Sequence, residues 1–304
     1  MIGADDRDAA AIDRYLRHTG KVKIDDLDLD AARRAGLTSE EVFVLTYFAD
    51  IEQQTLRNLR PLLAMRGAFE PALTAFLTTW NYEEFFHGQA LAKLLEACGH
   101  PLASARTAEV SRSARFSEQL ERLCAPLLAQ LFAREFPAVY ATFGAIHELT
   151  TLRGYERLEE TTQNPVLARL AERIAKQERR HFAWYFQQAK KRLDGDRRAQ
   201  LLTRTLLCAQ WRPVGAGVKR DDEVARLFRA LFAGEQASRV CDEIDAKIGS
   251  LPGLHALRLM RAYFADECRS ARSHAHATRA GSTDMDSGRA PGLVERAPQQ
   301  QGPL

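Results

Sequence analysis

Two Glu-x-x-His segments are the part of this sequence whose residue types and spacing could do chemistry. One contains Glu84 and His87, and the other contains Glu178 and His181. Residues three positions apart lie on the same face of an α-helix, so each segment presents a carboxylate and an imidazole to one point. Both groups are common ligands of divalent transition metals. Each segment is therefore a candidate half of a metal site.

A further glutamate precedes each segment on the helix before it. Glu52 lies 32 residues before Glu84, and Glu148 lies 30 residues before Glu178. A break in the helical pattern falls midway between the two glutamates of each pair, which predicts two antiparallel hairpins. Such a hairpin places residues at equal depth side by side, here about 23 Å from the turn at ~1.5 Å per residue. The sequence thus predicts two copies of one unit, each supplying two glutamates and a histidine.

Four carboxylates buried at one point cannot all ionise without compensation, because desolvation and mutual repulsion raise their pKa values. Two divalent cations would remove this conflict. One glutamate from each of two helices and a Glu-x-x-His from each of two others are the ligands of di-iron and di-manganese sites in ferritin-like bundles. Oxygen and nitrogen donors suit iron or manganese, and the lack of thiolates argues against structural zinc. The predicted ligands are Glu52, Glu84, His87, Glu148, Glu178 and His181.

The elements that must position these ligands are predicted to be α-helices, because apolar residues recur at steps of three to five and no segment alternates with a period of two. We expect an all-α, ferritin-like four-helix bundle with additional C-terminal helices. A capping box at Thr38 and Glu41 marks the start of the first bundle helix. The predicted helices cover about 38–65, 71–98, 117–136, 137–160, 165–193, 196–211, 221–249 and 253–270.

Three regions are predicted along the chain. Residues 1–37 form a polar lead-in, irregular or partly helical, and residues 38–272 form the helical domain, with the core bundle at about 38–193. From about residue 273 the sequence is rich in Ser, Gly, Pro, Gln and Arg, which predicts a disordered tail over 273–304.

Composition narrows the class of protein. The 304 residues carry a net charge of only +3, so no strong field favours a nucleic-acid partner. Five cysteines with wide spacing and no CxxC pair argue against a disulfide framework and for a reducing compartment. No apolar run approaches the ~20 residues that span a bilayer, and the N-terminus has no signal-peptide pattern. These features predict a cytoplasmic protein without a membrane span.

The segment Trp80–Gly88, WNYEEFFHG, resembles the WxxEExxHG motif of soluble acyl-acyl-carrier-protein desaturases. The second Glu-x-x-His resembles the ExRH motif of the same family, and the resemblance covers about residues 38–190. It implies that the six predicted ligands hold two iron ions. It also assigns a catalytic role to Thr151, three residues after Glu148, where the family places a threonine thought to assist oxygen or proton handling.

The resemblance implies an O₂-dependent enzyme that introduces a double bond into an acyl chain held by an acyl carrier protein, working as a homodimer. The sequence has no flavin, nicotinamide or iron–sulfur motif, so the electrons would come from a ferredoxin-like donor. One position departs from the family, since Gln177 replaces the usual aspartate that joins a histidine ligand to an early tryptophan. The tryptophans here are Trp80, Trp184 and Trp211, and the usual electron route is therefore missing or altered.

Three alternatives stay open at this stage. The protein could be a di-iron hydroxylase or N-oxygenase of a biosynthetic pathway, acting on a carrier-bound or free small molecule. It could instead be a ferritin- or rubrerythrin-like protein that stores iron or removes peroxide, although the helices after residue 196 disfavour this. A degenerate scaffold without metal is the third alternative, and the presence of all six ligands argues against it. The residues determine neither the length of the substrate chain nor the position of attack.

Overall fold

The computed structural model describes residues 4–63, 70–103 and 131–268. Within these ranges the chain forms α-helices and no β-strand, which confirms the predicted all-α class. The helices are α1 (Ala4–Leu16), α2 (Leu29–Ala35), α3 (Ser39–Leu63), α4 (Pro71–Ala97), α5 (Phe136–Thr161), α6 (Pro165–Leu193), α7 (Arg197–Gln210), α8 (Asp221–Leu231), α9 (Glu235–Gly249) and α10 (Leu259–Tyr263).

Four long helices of 25 to 29 residues form the bundle. Helix α3 packs against α4, and α5 packs against α6, so the two predicted hairpins are both present. Their bounds agree with the predicted ones to within about two residues. In the ranges described, none of the helices has the length and apolarity needed to cross a lipid bilayer.

The starts of the bundle helices follow from local side-chain chemistry. The Thr38 hydroxyl accepts from the Glu41 amide at 3.2 Å, and the Glu41 carboxylate accepts from the Thr38 amide at 2.7 Å, which confirms the capping box. At the start of α6 the side-chain oxygen of Asn164 accepts hydrogen bonds from the main-chain amides of Val166 and Leu167. The Asn164 amide group also donates to the main-chain carbonyls of Ala32 and Gly36, so this cap ties α2 to the bundle.

The lead-in packs onto the bundle. Helix α1 lies against α4, and α2 lies against both α4 and α6. Arg173 of α6 donates to the carboxylate of Asp26 at 2.7 Å and to the main-chain carbonyl of Lys23 at 2.6 Å. The N-terminal residues are thus held against α4 and α6, the two helices that carry the Glu-x-x-His segments.

The C-terminal helices are shorter than predicted. The stretch 221–249 is two helices, because α8 ends at Leu231 and Gly234 takes a φ of +61°, a left-handed conformation that interrupts a right-handed helix. The stretch predicted from residue 253 becomes helical only at Leu259. Most of the predicted helix 117–136 and all of the predicted tail 273–304 lie outside the described residues.

Candidate metal centre

The six predicted ligands meet in the middle of the bundle, supplied by all four of its helices. Each of these residues is at most 6 % exposed. Their donor atoms form two groups of four, and within each group the atoms all lie within 4.8 Å of one another. The first group is Glu52, Glu84, His87 and Glu178, and the second is Glu84, Glu148, Glu178 and His181.

Glu84 and Glu178 belong to both groups, so each could bridge two metal ions. The histidines supply Nδ1 on opposite sides of these shared carboxylates. His87 Nδ1 lies 3.0 Å from Glu178 Oε1 and 3.8 Å from Glu84 Oε1. His181 Nδ1 lies 3.1 Å from Glu84 Oε1 and 3.6 Å from Glu178 Oε2. The arrangement could hold two metal ions, which would share Glu84 and Glu178 and would each have two further ligands.

Five of the donor atoms that face this point lack hydrogen-bond partners among the described residues. They are Glu84 Oε1, both carboxylate oxygens of Glu178, and the Nδ1 atoms of His87 and His181. A buried polar atom without a partner costs about 1–3 kcal/mol, so five of them at one point are a strained arrangement for a protein without a bound cation. Coordination of cations would satisfy all five, and the donor set therefore fits a metal pair.

The opposite edges of the two imidazoles are held by hydrogen bonds. His87 Nε2 lies 2.6 Å from Gln177 Oε1, and His181 Nε2 lies 2.9 Å from Glu83 Oε2. Each oxygen accepts the Nε2 proton, which leaves a lone pair on the inward Nδ1 when the imidazole is neutral. Metal-binding histidines are commonly oriented in this way by a second hydrogen bond.

The two remaining terminal carboxylates are held similarly. The Tyr155 hydroxyl donates to Glu52 Oε1 at 2.7 Å, and Trp80 Nε1 donates to Glu148 Oε1 at 3.0 Å. Gly88 lets α4 approach α3 closely, because a Cβ there would lie 3.3 Å from Glu52 Cβ. The first and last residues of the WxxEExxHG segment thus each have a defined structural role.

The charges in this cluster perturb one another strongly. Burial and the charge of Glu178 raise the pKa of Glu148 to about 8. Burial and the charges of Glu52 and Glu178 raise the pKa of Glu84 well above its usual range. Burial opposes ionisation of Glu178 as well, but the adjacent imidazoles outweigh it and hold the pKa of this carboxyl well below its usual range.

The pKa of the His87 imidazole is also raised. Burial lowers the pKa of His87, but the adjacent carboxylates of Glu178 and Glu52 outweigh burial and raise it to about 10. The metal-free cluster therefore retains protons at neutral pH on groups that must lose them to bind a metal. Metal binding to this site has to displace those protons.

Sequence reasoning did not assign Glu83, Tyr155 or Tyr15 to the site. A signal for Glu83 is nevertheless present, because Glu83 and Gln177 each stand one residue before the glutamate of a Glu-x-x-His segment. Their contacts cross between the hairpins, since Glu83 of the first binds the histidine of the second, and Gln177 of the second binds the histidine of the first.

Two predictions about individual residues can be compared with the structure. Gln177 does contact a histidine ligand, and its amide nitrogen donates to the Gly20 carbonyl at 2.7 Å, where the family would use a tryptophan. Thr151 is half-buried on α5, one helical turn after Glu148. Its catalytic role stays a prediction.

Comparison with solved structures identifies the architecture. An R2-like ligand-binding oxidase, a tyrosine-to-phenylalanine variant with an aerobically reconstituted Mn/Fe cofactor, aligns with a TM-score of 0.50 and 19 % identity over 88 % of this chain and 92 % of that one. The fold of this chain is ferritin-like. A second variant of an R2-like ligand-binding oxidase, anaerobically reconstituted with Mn/Fe, aligns over the same shares at 19 % identity and a TM-score of 0.49.

No protein-family model matches the chain, and no curated protein matches it significantly. The similarity to the first of these oxidases, at 19 % identity and a TM-score of 0.50, supports the fold alone. The narrower resemblance to acyl-acyl-carrier-protein desaturases stays a prediction.

Proposed function

We propose that this protein is an O₂-dependent oxidoreductase with a dinuclear iron centre, or a mixed manganese–iron one, that oxidises an unactivated C–H bond. The observation that carries this proposal is the pair of four-ligand groups that share Glu84 and Glu178 and direct unpartnered donor atoms to one buried point. Neutral or anionic donors of this kind suit iron and manganese. The bound metals would supply the activation of O₂.

In this proposal Glu52 and His87 are the terminal ligands of one ion, and Glu148 and His181 are those of the other. The shared carboxylates keep the two ions adjacent. The hydrogen bonds from Tyr155 and Trp80 fix the terminal carboxylates, so these ligands keep their orientation when the charge of the centre changes. The four packed helices keep water from the site, since every ligand is buried.

For the substrate, we propose an acyl chain on an acyl carrier protein, with desaturation as the reaction and a ferredoxin-like protein as the electron donor. Support comes from the WxxEExxHG segment. In it Trp80 donates a hydrogen bond to the proposed metal ligand Glu148, and Gly88 allows α4 to lie close to α3. A solved structure of similar fold is described as an R2-like ligand-binding oxidase, which supports a bound ligand as part of the proposal. Thr151 would assist proton delivery. A homodimer and a cytoplasmic location belong to the same proposal.

Metal binding is the first test. The full chain is purified anaerobically and loaded with Fe²⁺, and the metal content is measured for wild type, Glu84→Ala and Glu178→Ala. Glu96→Ala is the matched control, because Glu96 is an exposed glutamate on the same helix as Glu84. We expect two ions per chain in wild type and the control, and fewer than one in the ligand variants. Fewer than one ion in wild type, or unchanged content in the ligand variants, would refute the dinuclear site.

Product analysis is the second test. The loaded protein is incubated with a ferredoxin system, O₂ and acyl-acyl-carrier-protein substrates, and the products are examined by mass spectrometry. A product lighter by two hydrogens supports desaturation, whereas a product heavier by one oxygen identifies a hydroxylase. Oxygen-driven uptake of iron far beyond two ions per chain, without either product, would identify a storage protein and contradict the proposal.

A further inference from the structure

The main chain of Gly20, in the N-terminal segment, connects the hydrogen-bond partners of both histidines. The Gly20 amide donates to Glu83 Oε1 at 3.1 Å, and the Gly20 carbonyl accepts from Gln177 Nε2 at 2.7 Å. Glu83 binds the imidazole of His181, and Gln177 binds that of His87. Two hydrogen-bonded arms therefore run from Gly20 to the two metal positions, one to each histidine.

The arm through Glu83 carries further support. The Tyr15 hydroxyl donates to Glu83 Oε2 at 2.7 Å, and the Arg180 guanidinium donates to Glu83 Oε1 at 2.9 Å. Tyr15 is only 6 % exposed and its ring packs edge-on against Phe76, with centroids 5.0 Å apart. The Glu83 side chain is 0 % exposed, and four donors around its two oxygens fix its orientation away from bulk solvent.

The arm through Gln177 depends on the Gly20 carbonyl for its direction. A glutamine amide can present either its oxygen or its nitrogen to a neighbour. Because Gly20 accepts from Nε2, the oxygen faces His87 and accepts the proton of the imidazole Nε2. Without the Gly20 carbonyl the amide could turn over and donate to this nitrogen, which would place the ring proton on Nδ1. A protonated Nδ1 cannot coordinate a metal.

We infer that residues 15–20, called here the N-terminal strap, are a positioning element that holds both histidines with Nδ1 free for the two metal positions. The strap acts through Glu83 and Gln177 and touches no reacting group. This inference rests on the proposed dinuclear centre. It also predicts that a substitution in one arm affects only one metal position, since each arm leads to a different histidine.

The separate arms define the variants for a test. Gln177→Leu should weaken the metal position at His87, and Glu83→Gln should weaken the one at His181, each by about 10- to 100-fold as for other hydrogen-bond partners of metal ligands. Tyr15→Phe removes one donor to Glu83 and should weaken the His181 position by about tenfold, at the low end of that range. Gln177→Glu still offers oxygen to His87, but its second oxygen cannot donate to the Gly20 carbonyl, so this variant should restore only part of the affinity lost in Gln177→Leu.

Tyr47→Phe is the matched control for Tyr15→Phe. The Tyr47 hydroxyl also donates a single hydrogen bond, to the Val214 carbonyl at 2.8 Å, and its side chain is 1 % exposed. It contacts neither the strap nor the partners of the histidines. Loss of a buried tyrosine hydroxyl therefore costs stability in both variants, whereas only Tyr15→Phe alters an arm.

The experiment is an anaerobic Fe²⁺ titration of the full chain, followed by Mössbauer spectroscopy to resolve the two iron positions and by thermal unfolding of the metal-free protein. We expect Tyr15→Phe and Gln177→Leu to deplete different spectral components, and Tyr47→Phe to keep both despite a comparable loss of stability. Affinities in Tyr15→Phe that equal those in Tyr47→Phe, or a failure of Gln177→Glu to improve on Gln177→Leu, would overturn the positioning role. Failure of wild type to bind iron would overturn the dinuclear proposal and the strap's role with it.

Discussion

Replacing Glu148 with glutamine should stabilise the metal-free protein against unfolding and weaken its affinity for metal. Burial and the charge of Glu178 raise the pKa of Glu148 from 4.5 to about 8, so folding forces this carboxyl to take up a proton at neutral pH. Taking these two pKa values, the resulting cost is about 3 kcal/mol at pH 7 and about 1 kcal/mol at pH 5. Glutamine has no such cost, and its carbonyl can still accept from Trp80 Nε1.

The sign of the pH dependence follows from the raised pKa. The cost is absent below pH 4.5, where the carboxyl is protonated in both the folded and the unfolded chain, and it grows as the pH rises towards 8. The stabilisation by Glu148→Gln should therefore increase between pH 5 and pH 8. With metal present this advantage should shrink, because each ion at 100 times its Kd stabilises the protein by about 2.7 kcal/mol and the variant lacks one ligand of one ion. At pH 5, where the cost is about 1 kcal/mol, the order should reverse and wild type should be the more stable protein.

Urea unfolding of chelator-treated and metal-loaded protein, at pH 5, 7 and 8, measures both effects. Glu96→Gln serves as the control, because this exposed glutamate lies outside the cluster and should shift neither curve. A Glu148→Gln variant that is less stable than wild type without metal, or whose advantage does not depend on pH, would refute the account in which burial and the charge of Glu178 raise the pKa of Glu148.

Three further predictions follow from the same geometry. Fe²⁺ binding at pH 7 should release protons, because the pKa values of Glu148 and His87 are raised. In calorimetry the apparent binding enthalpy should then depend on the ionisation enthalpy of the buffer. The same apparent enthalpy in all buffers would contradict the raised pKa values. Tyr155→Phe removes the donor to Glu52 and should lower metal affinity by about tenfold in a chelator competition, whereas an unchanged affinity would exclude this role. Gly88→Ala places a Cβ 3.1 Å from Gln53 Cγ and should lower the free energy of unfolding in urea by about 1–3 kcal/mol. An unchanged free energy of unfolding would show that α3 and α4 can separate there.

Much of the site could be predicted from the sequence, because its ligands follow local and periodic rules. The three-residue step in each Glu-x-x-His segment sets one helix face, and equal distances from a turn set the depth of Glu52 against Glu84. Both rules depend only on the rise and pitch of an α-helix, so they hold before any tertiary contact is known. The same holds for the capping box at Thr38.

The helices after residue 220 show where local rules stop being sufficient. The apolar pattern over 221–249 is continuous, yet the chain turns at Gly234, which takes a φ of +61°. Helix α8 then packs on α3 and α5, whereas α9 packs on α5 and α10. A helical pattern is compatible with one helix or with two, and only the packing decides between them.

The sequence by itself therefore determined the fold class, the two hairpins and the six candidate ligands. Tertiary structure decided which groups hold those ligands in place. Gly20 reaches Glu83 and Gln177 across 63 and 157 residues, and no periodicity or motif encodes contacts between segments so far apart. Such contacts exist only once the two hairpins and the N-terminal segment have packed together, because each of them supplies one side of the hydrogen bonds that orient the histidines.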